Sequence, residues 1–328
     1  MKLRLLAAAM AMALLAAPSE IHAQSLPSKS ITIIVPFGAG GISDTFTRIV
    51  AQSMSKTLGR PVIVENVAGA GGVVGSRRGA AAPPDGYTLL TVSPGTHSGA
   101  PAMYANLGYH PIDSYEIIGI AGSTPMVLAA TAASPAKTLQ DFVAFLKKPD
   151  KPVAVATAGV GSMSHLACSF FHSLIGVKST EVPYRAMPQM LQDVIGGNVD
   201  YTCTQAQGLN DLLETGKLKA FAVADDRRIA ILPAVPTSAE GGLPQFKVSV
   251  WIGLAAPKGT PADIVATLNK AMAGAFEDPE VQKRYAELGF VAPRVEERTS
   301  QWFTGFMRTE MDRWTGILRA AGVTPQEQ

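Results

Sequence analysis

A single local plan occurs twice in this 328-residue chain: an apolar strand, a glycine-rich turn, an amphipathic helix and a second apolar strand. In the first copy ITIIVPF (31–37) runs into Gly38-Ala39-Gly40-Gly41, a helical pattern follows over about 43–58, and PVIVEN (61–66) closes the unit. In the second, KPVAVATAG (151–159) leads through Val160-Gly161-Ser162-Met163-Ser164 into LACSFFHSLIG (166–176) and then STEVPY (179–184). Strand, turn, helix and strand in that order give a βαβ unit, which implies parallel strands joined by a right-handed crossover. Two such units in one chain predict two α/β lobes.

The remaining patterns extend each lobe. YTLLTVS (87–93) reads as a third strand behind a helix over 74–82, and VDYTCTQ (199–205) and LKAFAVA (218–224) read as strands around short helices at 188–197 and 209–215. PMVLAAT (125–131), after a Gly/Ser turn, and VSVWIGLAAP (248–257) are the two strands expected to cross between lobes. Helices from Pro261, from Pro279 and over 300–321 are expected to pack back on the first lobe. The expected division is 24–124 plus 250–328 for lobe 1 and 125–249 for lobe 2.

The N-terminus sets the compartment. Lys2 and Arg4 precede an apolar run over 5–17 and a small-residue site ending at Ala23, the plan of a cleavable signal peptide spanning 1–23. The run is shorter than the roughly 20 residues of a membrane-spanning helix, so no direct membrane insertion is expected of the mature chain. Cleavage after Ala23 is preferred over Ala17, which would leave Pro18 next to the scissile bond. Charges are nearly balanced, 28 basic against 26 acidic, so bulk charge gives no reason to expect nucleic acid as a partner. An oxidising compartment permits a disulfide, and the spacing of Cys168 and Cys203 leaves both a bridge and two buried thiols open.

Both glycine turns sit between a strand and a helix start, where free N–H groups and the positive end of the helix dipole favour an anion. The first comprises Pro36, Phe37, Gly38, Ala39, Gly40, Gly41, Ile42, Ser43 and Asp44, and the second Ala158 to His165, including Gly161 and Ser162. Either alone reads as a tight connection, with Asp44 or Ser162 as an ordinary helix cap. Their recurrence in equivalent places argues instead for two turns facing one cleft. A dinucleotide-binding oxidoreductase is the rival reading: Gly38 and Gly40 fit G-x-G-x-x-G, with Ser43 replacing the last glycine and Glu65 where a ribose-binding acid belongs. Export argues against that cofactor. The surroundings of Ser162 break the nucleophile-elbow pattern, and His97, His110, His165 and His172 form no metal-ligand spacing. No catalytic residue, metal or cofactor is expected.

Taken together, IVPFGAGGISDTFTR, PVIVENVAGAGGVVG, PPDGYTLL, GVGSMSHL, VPYR with LQDVIGGNVD, GKLKAFAV, and LPAVPTSAEGGLP with WIGLAAPKGTP run through nearly all of the mature chain. In that order they resemble the tripartite tricarboxylate transporter substrate-binding proteins, the TctC or Bug-type family. The resemblance implies a periplasmic-binding-protein fold of the Venus flytrap, type II-like kind, each lobe a mainly parallel sheet flanked by helices. It implies a monomer that takes a small carboxylate between its lobes and delivers it to the membrane subunits of a tripartite transporter. Carried over by position, Phe37, Gly40, Gly41, Ser43 and Asp44 belong to the first binding loop, and Ser162 and His165 to the second. Ser93, Tyr184, Arg185, Thr204 and Gln205 are further expected wall residues. The chain departs from the family pattern at Ile42 and at Ala186-Met187. Both changes add apolar surface, which points to a ligand with an apolar, even aromatic, body; for Met187, packing beneath the loops is the equal alternative.

Overall fold

The computed structural model describes residues 29–148, 152–159, 162–184, 187–320 and 325, so the expected signal peptide and its cleavage site lie outside the described residues. Nine strands form two joined sheets. In the first, β1 (Ile31–Val35) pairs in parallel with β2 (Val62–Asn66) on one side and β3 (Thr88–Val92) on the other. β3 then pairs antiparallel with β9 (Ser249–Pro257), and β9 antiparallel with the first part of β4 (Tyr115–Thr131), from Tyr115 to Pro125. The unbroken apolar run of β1, with Ile31, Ile33, Ile34 and Val35 all buried, suits a strand covered on both faces.

The second sheet starts where β4 leaves the first. From Met126 to Thr131, β4 pairs antiparallel with β7 (Tyr201–Gln205) on one edge and β8 (Leu218–Val223) on the other. β7 is parallel to β5 (Ala154–Thr157), and β5 to β6 (Thr180–Pro183). The sheets are therefore mixed rather than mainly parallel. The βαβ units supply the parallel pairs, and the antiparallel pairs come from β4, which runs from the first sheet into the second, and from β9, which pairs with β3 and β4 inside the first.

One expected boundary is corrected. No Gly/Ser turn precedes Pro125; β4 runs unbroken through it, with bulges between Ile117 and Gly119 and between Ile120 and Gly122. Gly122 sits at φ +147°, and a Cβ there would lie 2.8 Å from Phe46 and 3.0 Å from the Val291 carbonyl. The glycine serves a bulge and a close approach, not a turn.

The expected helices are present at Ile42–Leu58, Val73–Ala80, Met163–Ile175, Met187–Ile195 and Asn210–Glu214, and at Ala262–Gly274, Pro279–Leu288 and Ser300–Ala320. The last three return to β4 within the first sheet: Asn269 Nδ2 and Ser300 Oγ both donate to the Ile118 carbonyl, at 2.7 and 2.6 Å, and the Tyr285 hydroxyl to Ala121 at 2.7 Å. Cys168, on the Met163–Ile175 helix, and Cys203, on β7, are free thiols buried in the core. No helix among the described residues is long and apolar enough to cross a membrane.

Candidate functional site

The two strand-to-helix turns open on one cavity of about 620 Å³, whose walls come from both sheets. Gly41 is the N-cap of the Ile42–Leu58 helix and has no side chain with which to cap it. The first-turn amides of that helix are thus left to an outside acceptor, on the positive end of the dipole. Gly41, Ile42 and Ser43 line the cavity, as does Phe37.

Asp44 stands behind this wall. It is 3% exposed, and its carboxylate accepts from the Gly40 amide at 2.9 Å, from Arg48 Nε at 2.9 and 3.0 Å, and from Asn66 Nδ2 at 3.0 Å. Asn66 Nδ2 also donates to the Phe37 carbonyl at 3.1 Å, so one carboxylate and one amide fix the whole turn. Burial acts to raise the Asp44 pKa, but the bonds from Arg48, Gly40 and Asn66 and the guanidinium charge outweigh it and hold the group ionised below its ordinary range. The paired Arg48 also offsets a negative charge that would otherwise repel an anion at the helix start. Gly38, Ala39 and Gly40 carry the turn outside the cavity lining.

The second turn is built differently. Ser162 caps the Met163–Ile175 helix by accepting from the His165 amide at 3.2 Å, and its hydroxyl lies 3.0 Å from that of Ser164, which accepts from the Ala158 amide at 2.8 Å. Ser162 and Ser164 both line the cavity. His165 does not; it is buried with Nε2 3.3 Å from Glu181 on β6. Gly161 and Arg185 lie outside the described residues.

The other expected wall residues converge from separate elements. Ser93 follows β3, Tyr184 follows β6, Met187 opens the next helix, and Thr204 and Gln205 end β7 opposite Val127 and Met126 of β4. The Tyr184 hydroxyl donates to Asp193 at 2.7 Å; burial, then that bond and charge, push its pKa up to about 12. Ala158, Met163 and Ser164 of the second expected turn line the cavity too, whereas Gly71, Pro94, Gly95, Gly99, Met103, Tyr104, Met126, Leu166, Met190 and Val250 were missed by sequence reasoning. Gly71 and Leu166 fall within the motifs that carry the family resemblance, whereas Met103, Met126 and Met190 come from separate elements and share no spacing. The described lining thus holds five methionines and several hydroxyls, and no Asp, Glu, Lys, Arg or His. Such walls hold a carboxylate by neutral donors and surround its body with adaptable apolar surface.

Glu65, the residue expected to bind ribose in a dinucleotide fold, is exposed and paired to Arg78 at 2.6 Å. Comparison with known proteins agrees with the cleft rather than with that rival. Residues 46–323 match the model of the tripartite tricarboxylate transporter family receptor, TctC. The chain is 41% identical over 91% of its length, and 86% of the relative's, to the "UPF0065 protein in the TAR-I ttuE-ttuC' intergenic region" of Agrobacterium vitis. Among solved structures it is similar to the periplasmic binding protein BugD, at 35% identity and TM-score 0.72, covering 92% of this chain and 100% of that one. It is likewise similar to MatC from Rhodopseudomonas palustris with bound malate, at 37% identity and TM-score 0.72 over 89% and 99% of the two chains. A second R. palustris protein, solved with adipate, matches at 28% identity and TM-score 0.74 over 92% and 99%. Family and fold together make this chain a member of the TctC receptor family, a periplasmic solute-binding protein of the TctC/Bug type.

Proposed function

We propose that the chain captures a small carboxylate with a largely apolar body between its two lobes and hands it to the membrane subunits of a tripartite tricarboxylate-type transporter. It acts as a monomer and without chemical change to the ligand. The lobes are 24–124 plus 250–328 and 125–249, with β4 and β9 as the crossings, and export follows cleavage after Ala23. One observation carries this reading: a cavity of about 620 Å³ between the sheets that joins an uncapped helix start at Gly41 to walls without a charged side chain among the described residues. The helix start suits a carboxylate. The walls of Ile42, Phe37 and Met187 suit an apolar body, which gains roughly 25 cal/mol per Å² buried, whereas a polar backbone there would lose hydrogen bonds to water.

Malate and adipate, bound by the two R. palustris relatives, bracket the class by length and polarity. Calorimetry with malate, adipate, benzoate, phthalate, citrate and glutamate tests the proposal. Tightest binding of adipate or an aromatic acid is the expected result. Tightest binding of citrate or glutamate refutes the apolar-body part, and consumption of the bound acid refutes binding without chemistry.

A further inference from the structure

Ser93, on the cavity wall, heads a buried line of polar groups that ligand binding as described above leaves unexplained. Its hydroxyl lies 3.3 Å from Thr96 Oγ1, and Thr96 Oγ1 lies 2.7 Å from His97 Nδ1. All three residues are buried, Thr96 and His97 completely. They sit on or beside a π-helical turn, Gly95–Gly99, that follows Pro94; Gly95 and Gly99 also line the cavity. The Tyr109 hydroxyl pins this turn by donating to the Thr96 carbonyl at 2.7 Å. π turns concentrate at functional sites.

Burial pulls the His97 pKa from 6.5 to about 3, so the ring is neutral and carries one proton. Among the described residues Nε2 has no hydrogen-bond partner. A proton on Nε2 would therefore bury an unpaired N–H, the rarer kind of orphan. A proton on Nδ1 avoids this by donating to Thr96 Oγ1. Thr96 then spends its own proton on the Ser93 hydroxyl or the Ser93 carbonyl, each 3.3 Å away. Given to the hydroxyl, the Thr96 proton leaves the Ser93 proton without an acceptor inside the line; given to the carbonyl, it leaves Thr96 Oγ1 a second lone pair that the Ser93 hydroxyl can also reach.

Because Ser93 lines the cavity and an ionised carboxylate there is a stronger acceptor than a hydroxyl 3.3 Å away, the geometry points to the first arrangement, in which His97 is a positioning residue that, through Thr96, keeps the Ser93 hydroxyl turned into the cavity as a donor. That wall then selects an ionised carboxylate oxygen over an amide N–H or another hydroxyl donor. This inference rests on the carboxylate-binding function proposed above. A packing role alone, with His97 filling space between Tyr109 and Tyr115 at ring distances of 5.8 and 5.3 Å, makes no such demand on protons.

The test has two arms on the full chain. Nitrogen-15 NMR of histidine-labelled protein, with the His97 signal identified by its loss in His97→Asn, reads the tautomer directly. A proton on Nδ1 is expected, and a proton on Nε2 overturns the assignment. Calorimetry with adipate and its monoamide supplies the second arm. His97→Phe, which keeps ring volume and removes the donor, is expected to lower adipate affinity about tenfold, the scale of one hydrogen bond to a charged group. His97→Asn, which still offers an N–H to Thr96, is expected within about threefold of the parent. In a Ser93→Ala background His97→Phe should cost nothing further. Equal loss with and without the Ser93 hydroxyl means that His97 acts by packing, and overturns the inference alone. A parent chain that binds neither adipate nor any other carboxylate overturns the proposed function, and this inference with it.

Discussion

Asp44 gives the sharpest test of how the first turn is held. Replacing it by asparagine keeps the shape and one acceptor oxygen but turns an N–H2 group toward the Gly40 amide and Arg48, so donors face donors. The bonds from Gly40 at 2.9 Å and Asn66 at 3.0 Å reach a buried charged acceptor and contribute about 1.5 kcal/mol each, the low end for bonds to a charged group. The Arg48 side chain is 50% exposed, and solvent screening discounts its pair to about 0.5 kcal/mol. Asp44→Asn is therefore expected to cost about 3.5 kcal/mol and, in a chain of this length, to lower the melting temperature by roughly 5 °C. Hydrogen exchange should show the Gly40 amide losing its protection, and adipate affinity should fall as the helix start loosens. The native fold lowers the Asp44 pKa below its ordinary 3.8, so the contribution is complete above that value and is lost as the pH falls through the folded-state pKa. The gap between parent and variant should accordingly close in strong acid. A melting temperature within about 2 °C of the parent at pH 7, together with unchanged Gly40 exchange, would refute the account.

Ile42→Ser removes apolar wall from the cavity and is expected to weaken adipate binding about tenfold while sparing citrate; equal effects on both acids in calorimetry would tell against an apolar pocket. Gly253→Ala places a Cβ against Phe303 and 2.7 Å from the Gly119 carbonyl, between paired strands β9 and β4. Urea denaturation should show a loss of about 2–3 kcal/mol, and an unchanged midpoint would mean that β4 and β9 separate freely there. Cys168 and Cys203 are both completely buried, and burial raises the Cys168 pKa well above its usual value, so reagent reaches neither thiol in the native protein and neither should react. Both should react after unfolding without reductant; none reacting would mean a bridge.

The sequence announces most of this architecture because periodicity is local. Buried β1, the 3.6-residue pattern of the Ile42–Leu58 helix and the Gly196-Gly197 stop after Ile195 each fall within one window. What escapes is decided across the chain. Gly119 and Gly122 look like a turn until β9 pairs past them and Phe46 and the Val291 carbonyl close on Gly122. The Gly95–Gly99 π turn carries no periodic signal, and its histidine matters only through neighbours that the fold supplies. The cavity methionines, Met103, Met126, Met163, Met187 and Met190, are brought together by β4 and by three helices that are distant in sequence.

The two glycine turns also differ in a way that their matching positions conceal. In the first, the polar side chain near the helix start is Asp44, and it is consumed by Gly40, Arg48 and Asn66. Fixing the turn from behind leaves the amides after Gly41 without a side-chain cap and facing the cavity. In the second, Ser162 and Ser164 satisfy the His165 and Ala158 amides, and Thr157 Oγ1 accepts from Gly159 at 3.2 Å. With the Ala158, Gly159 and His165 amides already bonded, this side presents the hydroxyls of Ser162 and Ser164 to the cavity. Amides at a helix start are fixed in direction, whereas hydroxyls rotate and serve as donor or acceptor. One wall of the cavity thus offers fixed donors that suit negative charge, and the other offers hydroxyls that can meet a ligand end of either polarity.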